Sequence, residues 1–513
     1  MEFLLDFGLF IVVAISVLVY LAWLIPKGTS LPPGPPNWPI VGSLFYLSKS
    51  LHRSMEELAK KYGPIMYLRL GYLNYIVISN AEMAFTVLKI HDADFAFRPL
   101  SIIGKYVGFE YSNIIFSPYG DKWRLLRKIC ATELLTRAKL KTFEPTHQEE
   151  VACMFATVAP ALAEGKPTNM RTRLFDTSMN MMTRLLFGKR YFGLKISNKK
   201  NDEFKDTILK QLAIIGILNI GDFVPLLRPF DLQGIIRQSK QLRLKVDQIF
   251  DEMIQDRLKQ NGLNDSKDFL GAMLSLPKTH GFGDRLGDNT IKAVLNGVMQ
   301  AGTDTIAITT EWALAELLRH PQFAKKAREE LDDVVGLERV VNESDIPQLK
   351  YLLAIVKETF RLHPPVPLLL PRENIKGCEV GGYHIPPKTR LYVNAWAIHR
   401  DPSIYENPLE FNPERFVGSN VDLKGKDFEL LPFGSGRRVC PGFPFGFIAV
   451  QLELARFLHG FTLSLPKGEN LQDMDMTEVF SITAPKAISL HVVATARLSL
   501  HLYEAPQFTI CGN

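Results

Sequence analysis

The chain is poor in cysteine and gives what it has no pairing pattern. Five cysteines in 513 residues, at 130, 153, 378, 440 and 511, are odd in number, widely spaced and without a C-x-x-C pair. This argues for a reducing compartment and against a disulfide framework or a zinc site. Charge of neither sign dominates: 60 Lys and Arg against 54 Asp and Glu leave +6, and no basic run is interleaved with aromatics. Nucleic acid is therefore not expected as a partner. There is no G-x-G-x-x-G in a strand–helix context and no P-loop, so the chain lacks those routes to a nicotinamide or flavin of its own. Length alone would suggest about three domains. No interior linker is long enough to divide the chain, and 46% hydrophobic residues support one large core.

One long uncharged run is present, Phe7 to Ile25, nineteen residues. As a helix it spans ~28 Å, close to the hydrocarbon thickness of a bilayer. A cleaved signal peptide or a buried core helix are the competing readings. Glu2 and Asp6 precede the run without any Lys or Arg, which disfavours a signal peptide. Lys27, Lys49, Arg53, Lys60 and Lys61 lie beyond it, and the positive-inside rule then puts the body of the protein in the cytoplasm. The reading is a single-pass anchor over residues 1–25 in the endoplasmic reticulum membrane, with the N-terminus in the lumen. Leu31-Pro32-Pro33-Gly34-Pro35-Pro36 predicts a semi-rigid hinge within 26–42. Residues 43–513 form the remaining domain.

Ile65 to Leu70 and Tyr75 to Ser79 are β-prone runs around Gly71 to Asn74, which predicts a hairpin near the start. Most of the chain beyond Ser79 has apolar residues at 3–4 spacing, for example Phe204 to Leu218, Gln241 to Leu258 and Ile291 to Leu318. The expected class is mainly α with a small β-rich subdomain.

The chemistry centres on Phe433-Gly434-Ser435-Gly436-Arg437-Arg438-Val439-Cys440-Pro441-Gly442, just before the apolar run Phe443 to Leu458. A thiolate at Cys440 would lie beside positive charge and near a helix N-terminus, both of which stabilise it. Cys440 is thus a candidate metal ligand or nucleophile; a lone cysteine in a Gly/Pro turn is more often an inert buried residue. The pattern Phe-x-x-Gly-x-Arg-x-Cys-x-Gly is met at Phe433, Gly436, Arg438, Cys440 and Gly442. It resembles the haem-binding loop of the cytochrome P450 family. The resemblance implies the fold of that family, haem b (iron protoporphyrin IX) as cofactor and Cys440 as its axial thiolate, which favours O–O cleavage.

Further segments carry the same resemblance in family order. Trp123 and Arg127 share a helix face, and in the family such a pair contacts haem propionates, as does Arg372 after the non-helical Pro364 to Pro371. Ala301-Gly302-Thr303-Asp304-Thr305-Ile306 is similar to the oxygen-handling segment, except that Ile306 replaces a hydroxyl residue. Glycine and threonine inside a helix cost stability, and one reason for them is a groove for oxygen and water. Asp304 and Thr305 would then relay protons through water to the oxygen being activated. Glu358 and Arg361, at i, i+3, would join Arg415 of Pro413-Glu414-Arg415-Phe416 in a buried charge triad that fixes the cysteine loop. Ala301, Val366, Leu368 and Leu369 are the expected substrate pocket. His384 and His399 show no ligand spacing and read as structural or surface residues.

The implied function is a membrane-anchored haem-thiolate monooxygenase acting on O2 and a small hydrophobic substrate. Electrons would come from an NADPH-cytochrome P450 reductase, steered by basic residues such as Arg124, Lys128 and Arg437. Trp123-Arg-Leu-Leu-Arg-Lys and Glu311-Trp-Ala-Leu-Ala-Glu-Leu are similar to plant A-type members. Asp222-Phe-Val-Pro and Asp427-Phe-Glu-Leu-Leu-Pro resemble flavonoid and phenylpropanoid-ester ring hydroxylases. The rival reading is in-chain hydroxylation of a medium-chain fatty acid, suggested by Ile129-Cys-Ala-Thr-Glu-Leu-Leu. A catalytically silent haem-binding membrane protein is the alternative of another class.

Overall fold

The computed structural model describes residues 30–503 apart from 193–198, 261–267, 277–286 and 480, together with residues 14 and 16. Nearly all of the run expected as an anchor lies outside the described residues. Among the described residues, no helix is long and apolar enough to cross a membrane.

Ten helices carry the architecture around the site: α1 (Leu51–Tyr62), α2 (Asp121–Ile129), α3 (Arg137–Ala163), α4 (Met170–Phe187), α5 (Lys199–Ile215), α6 (Ile235–Gln260), α7 (Asp288–Arg319), α8 (Pro321–Val335), α9 (Lys350–Leu362) and α10 (Phe443–Gly460). The mainly helical class expected from the 3–4 spacing is what is observed. The periodic runs read from the sequence fall inside α5, α6, α7 and α10, except that α5 stops at Ile215, short of the expected Leu218.

Strand β1 (Ile65–Leu70) pairs antiparallel with β2 (Leu73–Ile78) across a turn at Gly71, whose φ of 61° suits the residue without a Cβ. Counting strands in chain order, β2 runs parallel to β7 (Arg390–Val393), which pairs antiparallel with β4 (Arg372–Glu373). A second sheet joins β3 (Thr168–Asn169), β9 (His491–Ala496) and β8 (Phe461–Ser464), and β5 (Cys378–Val380) and β6 (Tyr383–Ile385) make a small ribbon. The proline-rich segment lies against the first sheet: Tyr67 N donates to Pro33 O at 2.8 Å. A Cβ at Gly34 would collide with Tyr67 O, which explains the glycine among prolines.

Helix α7 is the axis of the core. It packs on α4, α9 and α10, and nearly every side chain from Ile291 to Leu317 is buried. The exceptions are Val298, Ala301, Gly302, Asp304 and Thr305. Four of these, at i, i+3, i+4 and i+7, form one accessible strip halfway along a helix otherwise enclosed.

Candidate active site

The cysteine loop is held from both ends. Gly436 to Arg438 form a single 3-10 turn and α10 begins at Phe443, immediately after Cys440 and its proline and glycine. Cys440 N donates to Phe433 O at 3.0 Å, closing the loop on itself. Burial raises the Cys440 thiol, while the amides of Gly442 and Phe443 and the charge of Arg127 draw it back down. The helix N-terminus therefore acts on the sulfur as expected. The flanking arginines do not: Arg438 turns to Ala96 O and Ser117 O, at 2.8 and 2.7 Å, and Arg437 to Asp92 and Tyr119, at 2.8 and 3.2 Å. Arg127 is the cation facing the sulfur, and its Nη1 donates to Val439 O at 2.6 Å.

Asp92 had no signal in the sequence, yet it fastens this loop. Its carboxylate accepts from Arg437 N at 3.1 Å and pairs with Arg372 Nη1 at 3.3 Å. Arg372 Nη2 also donates to Ser435 O at 2.6 Å. Gly436 has φ 70°, and a Cβ there would collide with Asp92 Oδ1 and Leu88 O. Its missing side chain thus serves packing against Asp92 and Leu88.

Above the loop, basic side chains converge. Trp123 is buried, its Nε1 donating to Ile114 O at 3.2 Å, with the Arg438 guanidinium 4.3 Å over its ring and that of Arg127 at 5.9 Å. Arg98, which the sequence did not single out, joins them. It donates to the carbonyls of Leu370, Pro371 and Ile115 at 2.9, 2.6 and 3.1 Å. Burial and then mutual repulsion lower Arg98 well below its ordinary value, with Arg438 and Arg372 as the repelling neighbours. Arg438 falls to about 9, from burial first and then Arg372 and Arg127.

Among the described residues, Asp92 is the carboxylate paired with any of Arg98, Arg127, Arg372 and Arg438. So much buried positive charge with one counter-ion is costly unless an anionic group completes it. A haem with its propionates fits that need. The accessible strip of α7 and the partly accessible Phe433, Cys440 and Gly442 supply two surfaces for a flat ring to cover. The residues present therefore fit the cofactor.

The triad expected from the sequence is assembled. Glu358 and Arg361 are fully buried, joined by bonds of 2.7 and 2.8 Å, and Arg415 Nε reaches Glu358 Oε1 at 3.1 Å. Asn412 N also donates to that oxygen at 2.7 Å. Arg361 spends its other protons on the carbonyls of His399, Pro408 and Glu410, so its charge is satisfied in full. His399 is structural: its Nε2 accepts from Leu431 N at 2.8 Å, and burial lowers it to about 3, which keeps it neutral.

On α7, Thr305 Oγ1 donates to Ala301 O at 2.8 Å, and Asp304 Oδ2 accepts from Thr483 Oγ1 at 2.7 Å. Burial raises the Asp304 carboxyl, opposed by Thr483 and by Arg171. Gly302 has a reason other than the groove expected for it: a Cβ there would collide with Met182 Sδ of α4, so the glycine lets two helices approach closely.

A cleft open to solvent lies beside this region. Ile103, Phe116, Ile215, Leu368, Leu369 and Ile482 give it apolar walls, and Tyr75, Arg98, Ser101, Asn219, Asp222 and Arg390 are among its polar groups. Leu369 keeps φ at 51°, unusual for a branched side chain. Val366 and Ala301 are not in this wall; Ala301 belongs to the strip on α7.

Comparison with known proteins agrees with this geometry. The cytochrome P450 family pattern matches residues 32–491. A flavonoid 3'-monooxygenase of Arabidopsis thaliana is 42% identical over 483 residues, 92% of this chain and 93% of the relative. A flavonoid 3',5'-hydroxylase of Crocosmia x crocosmiiflora is 39% identical, covering 93% of both chains. Cytochrome P450 CYP736A12 of Panax ginseng is 42% identical, over 93% of this chain and 96% of the relative. With the cysteine loop, the buried cations and the charge triad in place, the chain belongs to the cytochrome P450 family of haem-thiolate monooxygenases.

Proposed function

We propose that the protein hydroxylates an aromatic ring of a flavonoid or phenylpropanoid ester. One atom of O2 enters a ring C–H bond and the other leaves as water, with two electrons from NADPH and two protons. Bound haem supplies the redox chemistry that activates O2. Cys440 would hold its iron, and Trp123, Arg98, Arg127, Arg372 and Arg438 would hold its propionates. Phe433, Gly436 and Gly442 shape the loop around the sulfur, and Glu358, Arg361 and Arg415 keep that loop's supports in register. Asp304 and Thr305 deliver protons from α7. Leu368 and Leu369 bound the substrate in the cleft, and Ala301 belongs to the strip of α7.

The observation that carries the substrate reading is the two-sided character of the cleft. A bare alkyl chain would leave Asn219 Nδ2 and Arg390 Nε, buried and without a hydrogen-bond partner among the described residues, still unmatched, which is costly for buried polar groups. A flat aromatic bearing hydroxyls meets both the apolar walls and those groups. The names of the relatives from Arabidopsis and Crocosmia favour the same class. Electrons reach the site from an NADPH-cytochrome P450 reductase of the same membrane, where residues 1–25 anchor the chain to the endoplasmic reticulum, 26–42 act as hinge and 43–513 form the catalytic body in the cytoplasm. Exposed Lys128 remains to steer that partner, whereas Arg437 is engaged by Asp92 and Arg124 by Asp121.

A Soret titration of the purified ferric protein tests the substrate. Flavonoids or phenolic esters should displace water from the iron and shift the band from low to high spin. A shift with medium-chain fatty acids alone would overturn the assignment.

A further inference from the structure

Thr305 and Asp304 are adjacent on α7, yet neither side chain turns to the other. The Thr305 hydroxyl is committed to Ala301 O, and the Asp304 carboxylate accepts from the Thr483 hydroxyl at 2.7 Å. Thr483 is itself buried and belongs to the turn closed by the Glu478–Lys486 bridge. That turn is wedged between three elements. Ala484 O accepts from Trp312 Nε1, on the same helix as Asp304, at 2.9 Å, and Ala484 N donates to Pro365 O at 3.1 Å. On its other side a Cβ at Gly216, just past the end of α5, would collide with the backbone of Ser481 and Ile482. Ser481 and Ile482 line the cleft. The residue after them holds the acid.

We propose that Thr483 is a positioning residue that latches Asp304 away from proton delivery, and that a ligand pressing on Ser481 and Ile482 moves the turn and releases it. Proton delivery is thereby tied to an occupied cleft. Thr483 follows Ile482 directly in the chain, so displacement at Ile482 is passed to the hydroxyl that holds the acid. This rests on the reading of Asp304 as the proton-delivering acid. Arg171 on α4 is the charged group facing Asp304 from another element.

The test uses the full-length haem-loaded protein with its reductase, and compares Thr483→Val, which removes the hydroxyl at constant volume, with Thr483→Ser, which keeps it. Without substrate, one NADPH and one proton reduce O2 to peroxide. Thr483→Val should raise this idle NADPH consumption roughly tenfold, the worth of a hydrogen bond to a charged group, and Thr483→Ser should restore the wild-type rate. A second readout needs no turnover: the infrared carboxyl band of Asp304, identified by difference from Asp304→Asn. It should move in Thr483→Val, and adding a flavone should move the wild-type band the same way. Idle consumption in Thr483→Val equal to wild type, or a wild-type band unmoved by a flavone that gives the Soret shift, would overturn the latch. If Asp304→Asn leaves product coupling unchanged, the reading of Asp304 fails and the latch with it.

Discussion

Glu453→Gln should stabilise the protein more and more as pH rises. Glu453 lies on α10, fully buried, with Thr310 of α7 2.8 Å from its Oε2 and no partner for Oε1 among the described residues. Burial raises its carboxyl to about 8 from an ordinary 4.5, with Thr310 opposing. The Thr310 hydroxyl is also 3.1 Å from Ile306 O. A hydroxyl has one proton for these two contacts, so a neutral carboxyl that donates back to Thr310 satisfies both. Because the folded pKa is raised, the folded state binds more protons than the unfolded state between pH 4.5 and 8. Stability is then complete below the unfolded value and is lost as pH climbs toward 8. At 1.36 kcal/mol per pH unit, the loss between pH 5.5 and 7.5 is about 3 kcal/mol. Glutamine keeps the volume and the donor but does not titrate. Thermal unfolding of both proteins measured across that range should show the variant gaining a few degrees on wild type. Parallel curves would refute the reasoning, since they would mean that Glu453 does not carry its proton into the fold.

Two further substitutions probe the site. Glu358→Ala leaves two guanidiniums with a lost counter-charge, costs about 3–5 kcal/mol and should give protein without haem; the ratio of Soret to protein absorbance reads this directly. Gly436→Ala combines a φ of 70° with a collision against Asp92 and Leu88, whereas Gly434→Ala shares the positive φ but meets nothing nearer than Leu369 Cδ1 at 3.7 Å. Strained backbone alone costs about 1–3 kcal/mol, so Gly436→Ala should unfold at clearly lower denaturant than Gly434→Ala.

What the sequence disclosed was whatever is written locally. The cysteine loop, the Glu358–Arg361 pair at i, i+3 and the hairpin at Gly71 each depend on residues a few positions apart, where spacing fixes geometry. Arg98, Asp92 and Thr483 were illegible because their roles are made by distant partners. Arg372 finds Asp92 across 280 positions, and Thr483 finds Asp304 across 179. Gly302 was visible but its reason was not, since helix periodicity does not reveal that Met182 would face it. The pull of the flanking arginines on Cys440 was misread for a like cause: neighbours in sequence point away, and Arg127 arrives from another helix.

Cys440→Ser tests the central claim most directly. The side chain keeps its size but loses the thiolate, while Arg98, Arg127, Arg372, Arg438 and the triad are untouched. Wild type and variant are purified side by side, and the ferrous carbon monoxide complex of each is recorded by absorbance. The account predicts a thiolate-type Soret band in wild type and its loss in the variant, with the fold retained by circular dichroism. A variant that kept the wild-type band would contradict the assignment of Cys440 as the haem ligand and the catalytic reading built on it.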